Sequence, residues 1–267
     1  MQEAVSAAGV PTPVPARAES DAGWAGAPFL VMPAIEGHII DEMPVRDRWL
    51  TKADPDLNAT VHHRYLDVIA DIHRIDWSAH GLDAVVPVRD NAAEIAYWRD
   101  YLAWYADGEV VVPRLVEALD WCDGHRPVTE PAPALLWGDV RLGNVIFDES
   151  RSPVAVLDWE MATIGAPEHD LAWTLTLEAT LEELVGRTVP GFLGRDAALA
   201  RYEARVGRTV GSMDWYEIFA LVRSTAVMTR VTRLSVQAGS PAFFPLDENP
   251  ILDILSRRIA EADVRRS

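Results

Sequence analysis

The stretch Gly138-Asp139-Val140-Arg141-Leu142-Gly143-Asn144, followed by Val154-Ala155-Val156-Leu157-Asp158-Trp159-Glu160, decides how the rest of the chain is read. Before it lies Ala134–Trp137, a short apolar run of strand type. Two more such runs follow, Val145–Phe147 and Val154–Leu157, and Glu149-Ser150-Arg151-Ser152-Pro153 supplies a turn between them. The pattern predicts a strand, a tight loop and a hairpin. That path can bring Asp139, an Asn five positions later and a second Asp at 158 to one point.

The layout is the one kinase-fold enzymes use for phosphoryl transfer. One carboxylate meets the acceptor hydroxyl, while an amide oxygen and another carboxylate hold Mg²⁺ on the nucleotide phosphates. The longer stretch LLWGDVRLGNVIFDESRSPVAVLDWEMATIGAPEHDLAW resembles the core of the aminoglycoside phosphotransferase family. That family also includes choline kinase-like, homoserine kinase and fructosamine kinase relatives. The runs RLGNVIFD and DWE, with the segment from Asp214 to Arg233, are most similar to the phosphotransferase domains fused to some acyl-CoA dehydrogenases. The resemblance covers nearly the whole chain. It implies an α/β protein-kinase-like fold of two lobes, the larger one mainly helical. It also implies transfer of the γ-phosphoryl group of ATP to a hydroxyl of a small molecule, with Mg²⁺ as cofactor.

Residue roles follow from the same resemblance. Asp139 is the expected catalytic base, or at least the group that orients the acceptor hydroxyl. Arg141 either neutralises the transferred phosphoryl group or pairs with a neighbouring carboxylate. Asn144 and Asp158 are the expected Mg²⁺ ligands, and Glu160 either reaches a second metal or is solvated. Asp170 resembles an aspartate that braces the catalytic loop. Family motifs read His-Gly-Asp where this chain has Trp137-Gly138-Asp139, so the indole is expected to pack beneath the loop. Pro28–Met32 resembles the last small-lobe strand running into the hinge that holds adenine, with Met32, Pro33 and Ile35 at the nucleotide. Pro33 has a carbonyl to offer but no N–H, and Ile35 can supply the N–H.

Bulk properties narrow the partners. A formal charge of −17 over 267 residues argues against nucleic acid or an anionic membrane surface, both of which need basic patches. The basic residues are almost all Arg, with Lys52 the only lysine. Cys122 is the only cysteine, which excludes an intrachain disulfide and suits a reducing cytoplasm. No apolar run approaches the roughly 18–20 residues of a membrane helix, and no secretory leader is read at the N-terminus. His62, His63 and His73 lie on a predicted helix and read as packed or solvated rather than as zinc ligands.

Periodicity predicts helices over Gln2–Ala8, Asn58–Trp77, Asn91–Tyr105, Pro113–Cys122, Arg195–Val206, Met213–Ala238 and Pro250–Ala262. Asn249 is a plausible N-cap, and Gly207 and Gly239 are stops. The reading places residues 1–33 in a small nucleotide lobe and 34–267 in the catalytic lobe. A glycine-rich loop, a phosphate-pairing cation and its partner Glu should all precede the hinge, yet none is read before Met32. The small lobe is therefore expected to be truncated and turnover weak. The rival expectation is a pseudokinase-like protein that binds a ligand and transfers nothing.

Overall fold

A computed structural model describes residues 1–106, 112–242, 244–245 and 249–266. The chain begins with α1 (Gln2–Ala7), β1 (Arg17–Glu19), β2 (Phe29–Val31), β3 (His38–Ile39), α2 (Arg48–Thr51) and α3 (Pro55–His73). Two helices follow, α4 (Asn91–Ala106) and α5 (Pro113–Gly124). Next come the strands β4 (Ala134–Leu136), β5 (Val145–Phe147), β6 (Pro153–Val156) and β7 (Thr163–Gly165). The order closes with α6 (Glu168–Val185), α7 (Arg195–Val206), α8 (Met213–Gln237) and α9 (Pro250–Arg266).

The chain divides into two compact units. The first comprises Met1–Val88, Pro133–Asp170 and Arg187–Thr209, and among the described residues it carries every strand. Its sheets are small and antiparallel: β1 with β2, β3-β5-β6, and β4 with β7. Helix α3 packs on β4, β6 and α7 and buries Val61, Tyr65, Leu66, Ile69 and Ile72. Its outer face is pinned to α7 by Arg201 on Asp67 and Arg205 on Asp71, each a two-pronged pair.

The predicted Asn58–Trp77 helix is shifted towards the N-terminus, and local chemistry explains both ends. Pro55 occupies the first helical turn, where its missing N–H is harmless, and the Asp54 carboxylate caps the Asp56 N–H at 2.9 Å. Beyond His73, Asp76 accepts from Ser78 Oγ at 2.7 Å and Ala79 N at 3.0 Å, which favours a turn over further helix.

The second unit comprises Arg89–Ala132, Leu171–Gly186 and Val210–Ser267. Helices α5, α8 and α9 pack together over Leu115, Leu119, Trp215, Phe219, Leu252 and Leu255, all buried. Trp215 Nε1 donates to the Cys122 carbonyl at 3.0 Å, and Asn91 Nδ2 donates to the Tyr216 hydroxyl at 3.1 Å. Buried Arg223 stacks its guanidinium over Trp173, 4.6 Å from the ring centre. Asn249 caps α9 by accepting from Ile251 N at 2.9 Å, as its sequence position predicts.

Within the first unit, Asp47 organises the run from β3 to α2. Its buried carboxylate caps Trp49 N at 2.7 Å and also accepts from Asp41 N at 2.9 Å and His38 Nε2 at 3.0 Å. Burial is the largest single influence on this group and works against its charge. The bonds from Asp41, His38 and Trp49 outweigh it, so the carboxyl is held below its ordinary value of 3.8. A depressed carboxyl contributes stability that is present above its unfolded value and lost as pH falls through the lower folded one. Asp47→Asn keeps a capping oxygen but loses the charge that strengthens the bonds from Asp41 and His38, and should therefore cost about 2 kcal/mol near pH 7. Urea unfolding from pH 7 to pH 2.5 should show the gap between wild type and variant closing below about pH 4.

Candidate active site

The site is built from the loop between β4 and β5 and from the ends of the β5–β6 hairpin. Gly138 opens the loop at φ +92°, and a Cβ there would sit 2.2 Å from the Met161 carbonyl oxygen. Only glycine fits that combination of left-handed backbone and close approach. Beneath the loop, Asp170 accepts from Trp137 N at 2.7 Å, Gly138 N at 3.0 Å and His73 Nε2 at 3.1 Å. His73 Nδ1 lies 2.7 Å from the Tyr202 hydroxyl, and burial pushes the titration of that phenol up. Trp137 is fully buried, and its Nε1 donates to the Leu157 carbonyl at 2.8 Å. The indole thus ties the loop to the hairpin while filling the space below both.

Above that support the predicted residues gather. Asn144 Nδ2 donates to the Asp139 carbonyl at 3.0 Å and to Asp139 Oδ2 at 2.8 Å. Arg141 Nε donates to the same Oδ2 at 2.7 Å, and its Nη1 donates to Glu42 Oε2. Burial, the largest influence on Arg141, works against its charge. The carboxylates of Asp139 and Glu42 more than offset it, so the guanidinium is held above its ordinary range. Of the two roles open to Arg141, the ion pair is therefore present in this structure.

Register places the remaining carboxylate. Val145 pairs with Val156, and Leu157 N donates to the Asn144 carbonyl at 2.8 Å, so Leu157 stands opposite Asn144 and Asp158 follows one residue later. Asp158 is exposed and adopts φ +59°, a left-handed conformation that costs a non-glycine residue about 1 kcal/mol or more. Asp is among the few side chains that tolerate it. Glu160 is also exposed. The Asn144 amide turns its NH₂ to Asp139, so its oxygen is the half those bonds do not use. An amide oxygen beside a carboxylate is a donor set that fits a hard divalent cation. Among the described residues, no three His, Cys, Asp or Glu side chains form a metal-binding group.

Met32, Pro33 and Ile35 lie on the connector from β2 to β3. Met32 and Pro33 are exposed and Ile35 is half-buried. The connector runs against β5: a Cβ on Gly37 would meet the Phe147 carbonyl oxygen at 2.6 Å. Glu42 was not expected at the site. It stands 99 residues from Arg141 along the chain, and nothing in its local sequence marks it.

The geometry can be set beside known proteins. The model of the phosphotransferase enzyme family (APH) matches residues 1–210. The chain belongs to this phosphotransferase family. Among curated relatives, acyl-CoA dehydrogenase family member 11 of Gallus gallus is 29% identical over 175 residues, covering 65% of this chain. Family member 10 of Mus musculus is 29% identical over 177 residues, again covering 65%. The chain spans only 22% and 16% of those two proteins. Among solved structures, a provisionally named aminoglycoside phosphotransferase from Ralstonia eutropha superposes with a TM-score of 0.79 at 21% identity. That match covers 97% of this chain and 81% of the other. An aminoglycoside-3'-phosphotransferase of type VIII gives a TM-score of 0.56 at 20% identity, covering 81% of this chain and 75% of the other. These likenesses establish the kinase-like fold of the phosphotransferase family.

The support beneath the loop carries a measurable consequence. Asp170→Ala strands a buried imidazole and two buried amides, so the free energy of unfolding should fall by about 3–5 kcal/mol. Chemical denaturation checks this, and a loss under about 1 kcal/mol would mean the loop is held by other contacts.

Proposed function

We propose that this phosphotransferase moves the γ-phosphoryl group of ATP to a hydroxyl of a small molecule. The observation that carries the reading is the convergence of Asp139, Arg141 and Asn144 within direct hydrogen-bonding distance, with Asp158 one residue past the hairpin bond from Leu157 to Asn144. Asp139 orients the acceptor hydroxyl and takes its proton as the new P–O bond forms and the bond from the γ-phosphorus to the bridging oxygen breaks, releasing ADP. Arg141 offers positive charge to the phosphoryl group in transfer, using guanidinium N–H groups not engaged by Asp139 and Glu42. Asn144 and Asp158 would hold Mg²⁺ through their side-chain oxygens. Bound there, the ion neutralises phosphate charge and fixes the phosphates in line.

Met32, Pro33 and Ile35 serve the adenine in this reading, and residues 1–33 belong with the nucleotide-holding part of the molecule. Nucleotide use draws support from a structural neighbour of known ligand state, APH(2'')-IIIa in its GDP and kanamycin complex, with a TM-score of 0.55 at 14% identity. Because that complex contains GDP, GTP is the donor to compare with ATP. The acceptor is a small hydroxyl compound. Similarity to domains within acyl-CoA dehydrogenase family members points to a hydroxyacyl compound as the first class to screen.

Calorimetry with Mg-ATP and Mg-GTP, followed by transfer from γ-labelled nucleotide to a panel of small hydroxyl compounds, tests the proposal. Asp139→Asn should retain nucleotide binding and lower turnover by about 10²–10⁴-fold, the usual share of a general base. Asp158→Ala should remove the Mg²⁺ dependence of binding while the protein stays folded, since its exposed side chain contributes little packing. Unchanged turnover in Asp139→Asn would defeat the assignment of Asp139 as the base. Nucleotide binding without transfer to any acceptor would favour a binding protein.

A further inference from the structure

We propose that Glu42 is a positioning residue for this transfer: its carboxylate holds the Arg141 guanidinium in register with Asp139. The inference rests on the phosphotransferase reading above. Arg141 is anchored at two different nitrogens, Nε on Asp139 Oδ2 at 2.7 Å and Nη1 on Glu42 Oε2. A guanidinium is planar, so two anchors at separate nitrogens fix both its position and the direction of its remaining donors. Without the second anchor, the long side chain regains rotamer freedom that must be lost again in every turnover.

Two further observations show that the anchor is built into the fold. The turn bearing Glu42 is braced, because Asp41 N donates to Asp47 Oδ2 at 2.9 Å and Met43 N donates to Asp41 Oδ1 at 2.8 Å. Asp47 in turn takes His38 Nε2 and caps α2. The turn also lies against the catalytic loop. A Cβ placed on Gly143 would sit 3.4 Å from the Ile40 carbonyl oxygen and 3.6 Å from Glu42 Oε1. These are ordinary contact distances, so the turn and the loop lie side by side at Gly143.

The competing view is an ordinary surface ion pair, since the Glu42 side chain is 70% exposed. Such pairs contribute little to stability, which makes the two views separable. If Glu42 positions Arg141, Glu42→Ala should leave the melting temperature nearly unchanged and lower kcat about tenfold. The nucleotide KM should shift by less than about twofold, because misplacement of a transition-state contact costs rate rather than ground-state binding. Glu42→Gln keeps an acceptor oxygen and should recover most of the lost rate. In an Arg141→Ala background, Glu42→Ala should have no further effect, because the two residues act as one unit.

Equal loss from Glu42→Ala with and without Arg141, or no loss with Arg141 present, overturns the inference. A measurement that needs no turnover runs alongside. By NMR, the Arg141 Nε–H should exchange with water at least several-fold faster in Glu42→Ala than in wild type, and an unchanged rate overturns the inference even if transfer occurs. Absence of transfer from ATP or GTP to any acceptor by the wild-type protein would instead defeat the phosphotransferase reading, and the exchange measurement would still decide whether Glu42 holds Arg141.

Discussion

A single buried carboxylate underlies the site. Asp170 is almost completely shielded from solvent, a place where an unpaired charge is very costly. It is tolerable because three donors converge on it: the amides of Trp137 and Gly138 and the His73 imidazole. The two amides belong to the residues that lead into Asp139, so stabilising the charge and shaping the loop are the same act. Tyr202 extends the chain of bonds into α7, and α3 supplies the imidazole. Helices distant in sequence therefore set the angle at which the loop leaves β4.

Above that support the site solves a charge problem. Asp139 and Glu42 flank Arg141, and Asp158 stands one residue beyond the hairpin bond. Arginine suits the middle position: its fork can satisfy carboxylates at separate nitrogens and still present N–H groups to an anion. A lysine offers one charged point and could not fix a plane. Asn144 plays a similar double part, with NH₂ turned to Asp139 and oxygen turned away. The strongly acidic overall charge says little about this group, because Arg141 is paired locally with Asp139 and Glu42.

The hairpin that carries Asn144 and Asp158 is held by aromatic packing as well as by its ladder. Trp49, presented by α2, lies over His38 with ring centres 4.6 Å apart and tilts against Phe147 at 6.1 Å. Arg151, at the hairpin turn, stacks over the same indole at 4.1 Å. Asp47 therefore matters at a distance, since it caps the short helix that delivers Trp49 and braces the turn that delivers Glu42.

Much of this was legible in one sequence because it is local. Val145–Phe147 and Arg195–Val206 follow from period and flanking residues, and their bounds agree with the structure. The meeting of Asp139, Arg141 and Asn144 lies within one tight loop of six residues, so their spacing makes it legible. What tertiary structure decided involves groups with no local signal. The two-residue strand β3 exists only because β5 offers it a partner. Glu42 reaches Arg141 across 99 residues, and His73 reaches Asp170 across 97. A carboxylate or an imidazole reads the same in sequence whether it is solvated or buried. Its role is set by which partners folding brings within about 3 Å, and that follows from the packing of whole helices and strands rather than from the residues beside it.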